Sequence, residues 1–161
     1  MSIVTVNGVV YAERLSTNPP TPNNWLTPGY VDGRKKVNLD YYIGLGTESA
    51  GSIINMGALL PVGAKVLSIS IHTSAATSGL TMSVGDLNSA TRYANADTGP
   101  ASAGIHSYTG FIDSTNGAYL VGQNPANPTA TNNDQQIILT TGGATLGAGT
   151  IYGCEVQYTT D

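Results

Sequence analysis

Strict alternation between apolar and polar residues in three short segments constrains the fold of this chain more than any other feature. The segments are 151–158 (IYGCEVQY), 65–73 (KVLSISIHT) and 80–85 (LTMSVG). Successive side chains of a β-strand lie on opposite faces, so each segment predicts a half-buried strand. Cys154 is expected to pack on the inward face of its strand as a small apolar group. We further expect 65–73 and 80–85 to pair with each other across the SAATSG turn.

Six less regular segments are further strand candidates: 3–11, 37–45, 52–60, 104–112, 118–121 and 135–141. Gly, Pro and Asn separate them, and no segment has a convincing amphipathic helical pattern; 47–58 is the main alternative, as a short helix. With 40% hydrophobic and 10% charged residues, the composition fits neither a coiled coil nor a disordered chain. The sequence therefore predicts an all-β fold, a single-domain antiparallel β-sandwich or jelly roll.

The N-terminal part of the chain does not follow this pattern. We expect a strand within 1–12, an extended Pro-rich arm over 13–36, and the β-sandwich or jelly-roll core over 37–161. A compact domain rarely contains a structureless connection as long as the arm unless that connection has a function or is disordered. The arm also carries the apolar side chains Trp25 and Leu26. A long irregular arm of this kind fits a segment that lies on the surface of a partner.

Charge and length exclude several classes of partner. The formal net charge of −4 argues against a nucleic-acid binder, which needs a basic face to neutralise phosphates. The first fifteen residues lack the basic start of a signal peptide, and no apolar run is long enough to span a membrane. With one cysteine, no intramolecular disulfide can form. These features predict synthesis in the cytoplasm and no membrane or nucleic-acid partner.

Residues that could perform catalysis or hold a metal are few. His72 lies on the polar face of 65–73 and His106 lies in another expected strand, so a metal site would require them to converge with a carboxylate. Nothing in the sequence places a base beside Cys154. Isolated aspartates such as Asp86 and Asp97 are typical of turns rather than of a calcium site. We therefore expect no enzymatic activity, no catalytic or cofactor-binding residues, no cofactor and no metal.

The run that starts at Ile54 contains the motifs LLPVGAKV, LTMSVGD and ATRYANA. In LLPVGAKV, Pro61 presets its own φ and Gly63 is free to take a positive φ, which predicts a turn between two strands. This run resembles the decoration, or cement, proteins of tailed bacteriophage capsids. The resemblance implies a β-sandwich or jelly roll that binds the major capsid protein in many copies. It also implies a homo-oligomer, a dimer or trimer, on the outer capsid surface of the virion, where it stabilises the shell.

The arm is the expected attachment element, since its apolar side chains can anchor an interface and a basic cluster at its end can meet acidic groups on a partner. The expected capsid-binding residues are Trp25, Leu26, Tyr30, Arg34, Lys35 and Lys36. The alternative function is a tail or head fibre domain that recognises receptors or carbohydrates. Such a domain would expose aromatic residues on one face, which Tyr41, Tyr42, Tyr93, Tyr108 and Tyr119 could supply; they could equally fill a core and a subunit interface.

Overall fold

Strands dominate the computed structural model, which describes residues 5–7, 35–57, 59–109, 112–113, 117–118 and 135–159. A 3₁₀ helix, Gly99–Ala101, lies between the sixth and seventh strands. In chain order, the strands of these ranges are β1 (Thr5–Asn7), β2 (Lys36–Ile43), β3 (Ile53–Met56), β4 (Lys65–Thr73), β5 (Thr81–Asp86), β6 (Ala94–Asp97), β7 (Gly104–Thr109), β8 (Ile112–Asp113), β9 (Gly117–Ala118), β10 (Ile137–Gly142) and β11 (Ile151–Thr159).

The strands form two sheets that pack face to face. The first sheet has the order β1-β3-β10-β5-β6, the second has the order β2-β11-β4-β7, and β8 pairs with β9. All pairs are antiparallel except β1 with β3, which is parallel. The expectation of an all-β, mostly antiparallel sandwich is confirmed.

The core lies between the sheets and is built from the inward residues of the alternating strands. In β11, Tyr152, Cys154 and Val156 are buried, as the period of two predicts. The hydroxyl of Tyr152 accepts the N–H of Gly147 at 3.0 Å, so this fully buried ring keeps a hydrogen bond. The other large, fully buried apolar residues include Ile54, Met56, Leu60, Ile69, Ile71, Leu80, Met82, Ile137, Leu139 and Leu146.

One local expectation is wrong. The strands over 65–73 and 80–85 do not pair, since β4 lies between β11 and β7 in the second sheet while β5 lies between β10 and β6 in the first. The link between them crosses the sandwich, because each strand buries its apolar face against the opposite sheet. The strand expected over 52–60 is present as β3, which pairs with β1 and β10, so the alternative helix does not form in residues 47–57.

Candidate interaction surfaces

The edge strand β2 has an inverted burial pattern: its polar residues Asn38 and Asp40 point inward. One carboxylate oxygen of Asp40 accepts the N–H of Gly57, which follows β3 in the other sheet, at 2.8 Å. The other oxygen accepts the N–H of Tyr41 at 2.7 Å. Gly57 has a φ of +70°, and a Cβ there would lie 2.9 Å from the Asn38 side-chain oxygen. The polar side of β2 is therefore fitted closely against the first sheet.

A second inward contact holds the other end of β2. The Tyr42 hydroxyl donates to the buried carboxylate of Glu48, which also accepts the N–H groups of Leu45, Gly46 and Thr47 at 3.1 Å each. Burial raises the pKa of Glu48, but the bonds from Tyr42 and from the backbone outweigh it and hold that pKa below its usual range. Burial, with the neighbouring Glu48, raises the pKa of Tyr42. Together with Asp40, this cluster fixes which side of β2 faces inward.

As a consequence, the apolar side of β2 faces outward. Val37 is 50% exposed and Leu39 53%, and Tyr41 and Ile43 on the same side are also exposed. Ile151 of β11 lies directly opposite Ile43 and is exposed too. We call these five residues the β2 face.

A carboxylate also lies at the opposite edge of the sandwich. Asp97 of β6 accepts the N–H of Gly99 at 3.0 Å, and the Tyr108 side chain of β7 lies near it. The Gly99 bond lowers the pKa of Asp97, and the nearby Tyr108 hydroxyl lowers it further, against the opposing effect of burial. Ala96, the residue before Asp97, has a φ of +47°, and its N–H donates to the Ser83 hydroxyl at 3.0 Å. The neighbouring side chains of Asp97 and Tyr108 thus bring the edge strands β6 and β7 close together across the two sheets.

Basic residues gather at one end of the second sheet. Lys36 lies opposite Tyr158 of β11, and Lys65 lies opposite the next residue, Thr159, on the other flank of the same strand. The backbones of Lys36 and Lys65 are two strand spacings apart, or about 10 Å. Lys36 lies on the inward side of β2 with Asn38 and Asp40, whereas Lys65 lies on the outward side of β4. Lys35 is exposed beside them. The register therefore adds Lys65 to the basic cluster that the sequence places at 34–36.

The turn before β4 adds apolar surface at this end. The N–H of Ala64 donates to the Pro61 carbonyl at 3.1 Å, and Gly63 has a φ of +82°, which confirms the expected turn. Leu59 and Val62 are both about half exposed. We call Lys35, Lys36, Lys65, Leu59 and Val62 the basic end.

Only some of the capsid-binding residues expected from the sequence lie among the residues that the structure describes. Trp25, Leu26, Tyr30 and Arg34 fall outside the described residues, as does the rest of the arm before Lys35. Lys36 is the first residue of β2. Sequence reasoning missed Lys65 and the β2 face, although the alternation in VNLDYYI was visible. A period of two shows that a strand has two different faces, but not which one a folded protein buries.

The two histidines do not converge. In the pairing of β4 with β7, His72 lies opposite Ile105 while His106 lies opposite Ile71, so the imidazoles are on opposite faces of the sheet. Within the described ranges, no group of three or more His, Cys, Asp or Glu residues could hold a metal ion. Burial, followed by the charges of Asp40 and Glu155, raises the pKa of the Cys154 thiol to about 12. Nor does any helix among these residues have the length and apolarity to cross a membrane.

Of the five tyrosines that could supply an aromatic face, the four that the structure describes do not form one. Tyr41 is exposed on the β2 face, whereas Tyr42 and Tyr93 are buried in the core. Tyr108 is half-buried against Asp97, and Tyr119 lies outside the described residues. The four of them that the structure describes thus divide between the core and separate surfaces.

Similar folds occur in three phage capsids. A chain in the capsid asymmetric unit of cyanophage Pam1 is 20% identical with a TM-score of 0.56, and the match covers 85% of this chain and 93% of that one. A chain in the capsid of Ralstonia phage GP4 is 16% identical with a TM-score of 0.54, covering 82% and 88%. A chain in the acid-stable capsid of Helicobacter pylori bacteriophage KHP30 is 14% identical with a TM-score of 0.51, covering 80% and 90%. No protein-family model and no curated protein matches this sequence.

Proposed function

We propose that this protein is a capsid decoration protein: a structural protein of a bacteriophage virion that binds the outer surface of the major capsid shell and stabilises it. The observation that carries the proposal is the fold shared with chains of three phage capsids. Coverage is high in both directions, so those chains are of similar length to this one. The motifs around LLPVGAKV point to the same class of protein.

The protein would act in many copies and as a homo-oligomer, a dimer or trimer, rather than as an enzyme. Attachment through many equivalent contacts lets weak individual interactions hold a shell, because each additional contact forms at a high effective concentration. The surface that suits an acidic partner is the basic end, where Lys35, Lys36 and Lys65 lie beside the exposed Leu59 and Val62. The arm, with Trp25, Leu26, Tyr30 and Arg34, would continue this contact.

The test uses capsids produced without this protein by the phage that encodes it. Purified protein should co-sediment with these capsids at a fixed number of copies and protect them against heat. The double variant Lys35→Gln/Lys65→Gln should bind about 10-fold more weakly at low salt, and the difference should shrink as salt rises, because the lost interactions are screened charges. Ala75→Glu/Ala76→Glu, in an exposed segment just past the other end of β4, changes the net charge equally and should bind normally.

Failure of the wild-type protein to bind these capsids would reject the decoration role. Binding to host cells or their glycans in the same experiment would instead favour the alternative, a fibre domain that recognises receptors. Equal weakening by both double variants would reject the basic end as the attachment surface.

A further inference from the structure

The β2 face is uncharged in a chain whose net charge is −4. Its neighbours on the outer side of β11 are Gly153, Glu155 and Gln157, and the Gln157 amide donates to the Glu155 carboxylate at 2.6 Å. A partner recognised by its charge would find little to bind here. A contiguous row of half-exposed large apolar side chains is instead typical of a surface that another protein covers.

From this surface we infer that the β2 face binds the β2 face of a second copy of this chain, and that the two sheets meet face to face. The inference rests on the proposed homo-oligomer but not on binding to a shell. Two identical surfaces match when they are related by a two-fold axis. Since the face carries no charge, two acidic copies can approach here without placing like charges opposite each other.

The contact uses side chains rather than the open backbone edge of β2. The N–H of Gly44 donates to the Thr150 carbonyl, so hydrogen-bonded pairs with β11 fall on even-numbered residues of β2. The backbone groups of Val37, Leu39, Tyr41 and Ile43 consequently point to the open edge. Asp40 already accepts the Tyr41 N–H at the middle of that edge. An added strand would have to displace this bond, whereas packing on the face leaves it intact.

The charges at the end of β2 select an antiparallel arrangement of the two copies. A parallel arrangement would bring the exposed Lys35 groups of both copies together, at a cost in repulsion. An antiparallel one separates them and places Leu39 of one copy opposite Tyr41 of the other, with Val37 opposite Ile43. The apolar row alone is smaller than the roughly 800 Å² per partner of a standard interface. The dimer is therefore expected to dissociate in the micromolar range.

Sedimentation velocity over a concentration series tests this without capsids. The wild-type protein should show a reversible monomer–dimer equilibrium, and Leu39→Lys should raise its dissociation constant at least about 100-fold, since each copy would place a charged side chain against the apolar face of the other. Leu87→Lys is the matched control: Leu87 is 52% exposed and follows β5 of the first sheet, away from the outer side of the second. Circular dichroism should show that both variants are folded.

A wild-type protein that stays monomeric to about 100 µM, well above the expected micromolar dissociation constant, would overturn the inference. In that case the β2 face would be covered by another part of the same chain or by a different protein. A Leu39→Lys dimer as tight as the wild type, or an equal loss in Leu87→Lys, would overturn it too. If Leu39→Lys fails to fold, Leu39→Cys carrying a nitroxide provides the test, because buried Cys154 stays unlabelled. Labels at Leu39→Cys should lie much closer together in the dimer than labels at Leu87→Cys, and equal distances would count against the arrangement.

Discussion

The carboxylate of Asp40 and the N–H of Gly57, 17 residues apart in the chain, join the two sheets at 2.8 Å. Asp40 is 2% exposed, so both its oxygens face the protein and both accept backbone N–H groups. This bond turns the polar side of β2 inward, which leaves the apolar side facing outward.

Asp40→Ala should lower the free energy of unfolding by about 1–3 kcal/mol, because the buried N–H of Gly57 loses its acceptor. Asp40→Asn should cost less, since its carbonyl oxygen can still accept this N–H. Urea unfolding of the two variants measures the difference. An Asp40→Ala protein as stable as the wild type would show that this bond does not hold β2 in place.

Acid should destabilise the protein through Glu48 and Asp97. Folding lowers the pKa of each carboxyl from its ordinary value, 4.5 for Glu48 and 3.8 for Asp97. Their contribution to stability is therefore complete above those values and is lost as the pH falls through the lower pKa of the folded state. The urea midpoint should decrease from about pH 5 downward.

Tyr42→Phe removes a donor to Glu48, so it should lower the free energy of unfolding at pH 7. The decrease of that free energy between about pH 5 and lower pH should also become smaller. Tyr41→Phe, which changes the exposed neighbouring ring, is the control and should leave both unchanged. A Tyr42→Phe protein with the acid dependence of the wild type would contradict this role for the Tyr42–Glu48 bond.

Cys154 should not react with iodoacetamide in the folded protein at pH 8. Burial raises the pKa of its thiol to about 12, so the nucleophilic thiolate is scarce and inaccessible. Labelling should begin only in urea concentrations that unfold the chain, as mass spectrometry can follow. Rapid labelling without urea would mean that β11 opens readily.

Trp25→Ala should weaken binding to undecorated capsids by about 2 kcal/mol or more if this side chain is a buried anchor. Replacing Arg34, Lys35 and Lys36 with Glu should weaken binding in a salt-dependent way. Both proteins should keep the wild-type circular dichroism spectrum. Unchanged occupancy for both across a salt series would exclude the arm and favour the turn that carries Leu59 and Val62.

The sequence predicts best those strands whose apolar side is also the buried side. β4 has the bounds of its alternating segment, and β11 extends its segment by one residue. β6 was missed because ANAD has no apolar alternation, and the chain there passes through the positive φ of Ala96. The assignment of β4 and β5 to different sheets was also missed, since a short turn sequence does not specify which strands it joins.

The interaction surfaces could be predicted only in part, for a related reason. Lys35 and Lys36 are adjacent in the sequence, but Lys65 joins them only through the shared register with β11. The outward direction of Leu39 depends on Asp40 finding a donor in the other sheet. The position of Lys65 and the direction of Leu39 both depend on contacts between distant segments of the chain. The local period of the sequence carries no information about such contacts.

The pairing of β2 with β11 also determines how the protein would carry a mechanical load. All eight residues of β2 have partners in β11, and antiparallel hydrogen bonds run perpendicular to the strands. A pull at Lys36 that is directed along the axis of β2 loads these bonds in shear, all together, instead of opening them one by one. A tether at this point should thus fail at its contact with a partner before the strand is torn from the sheet.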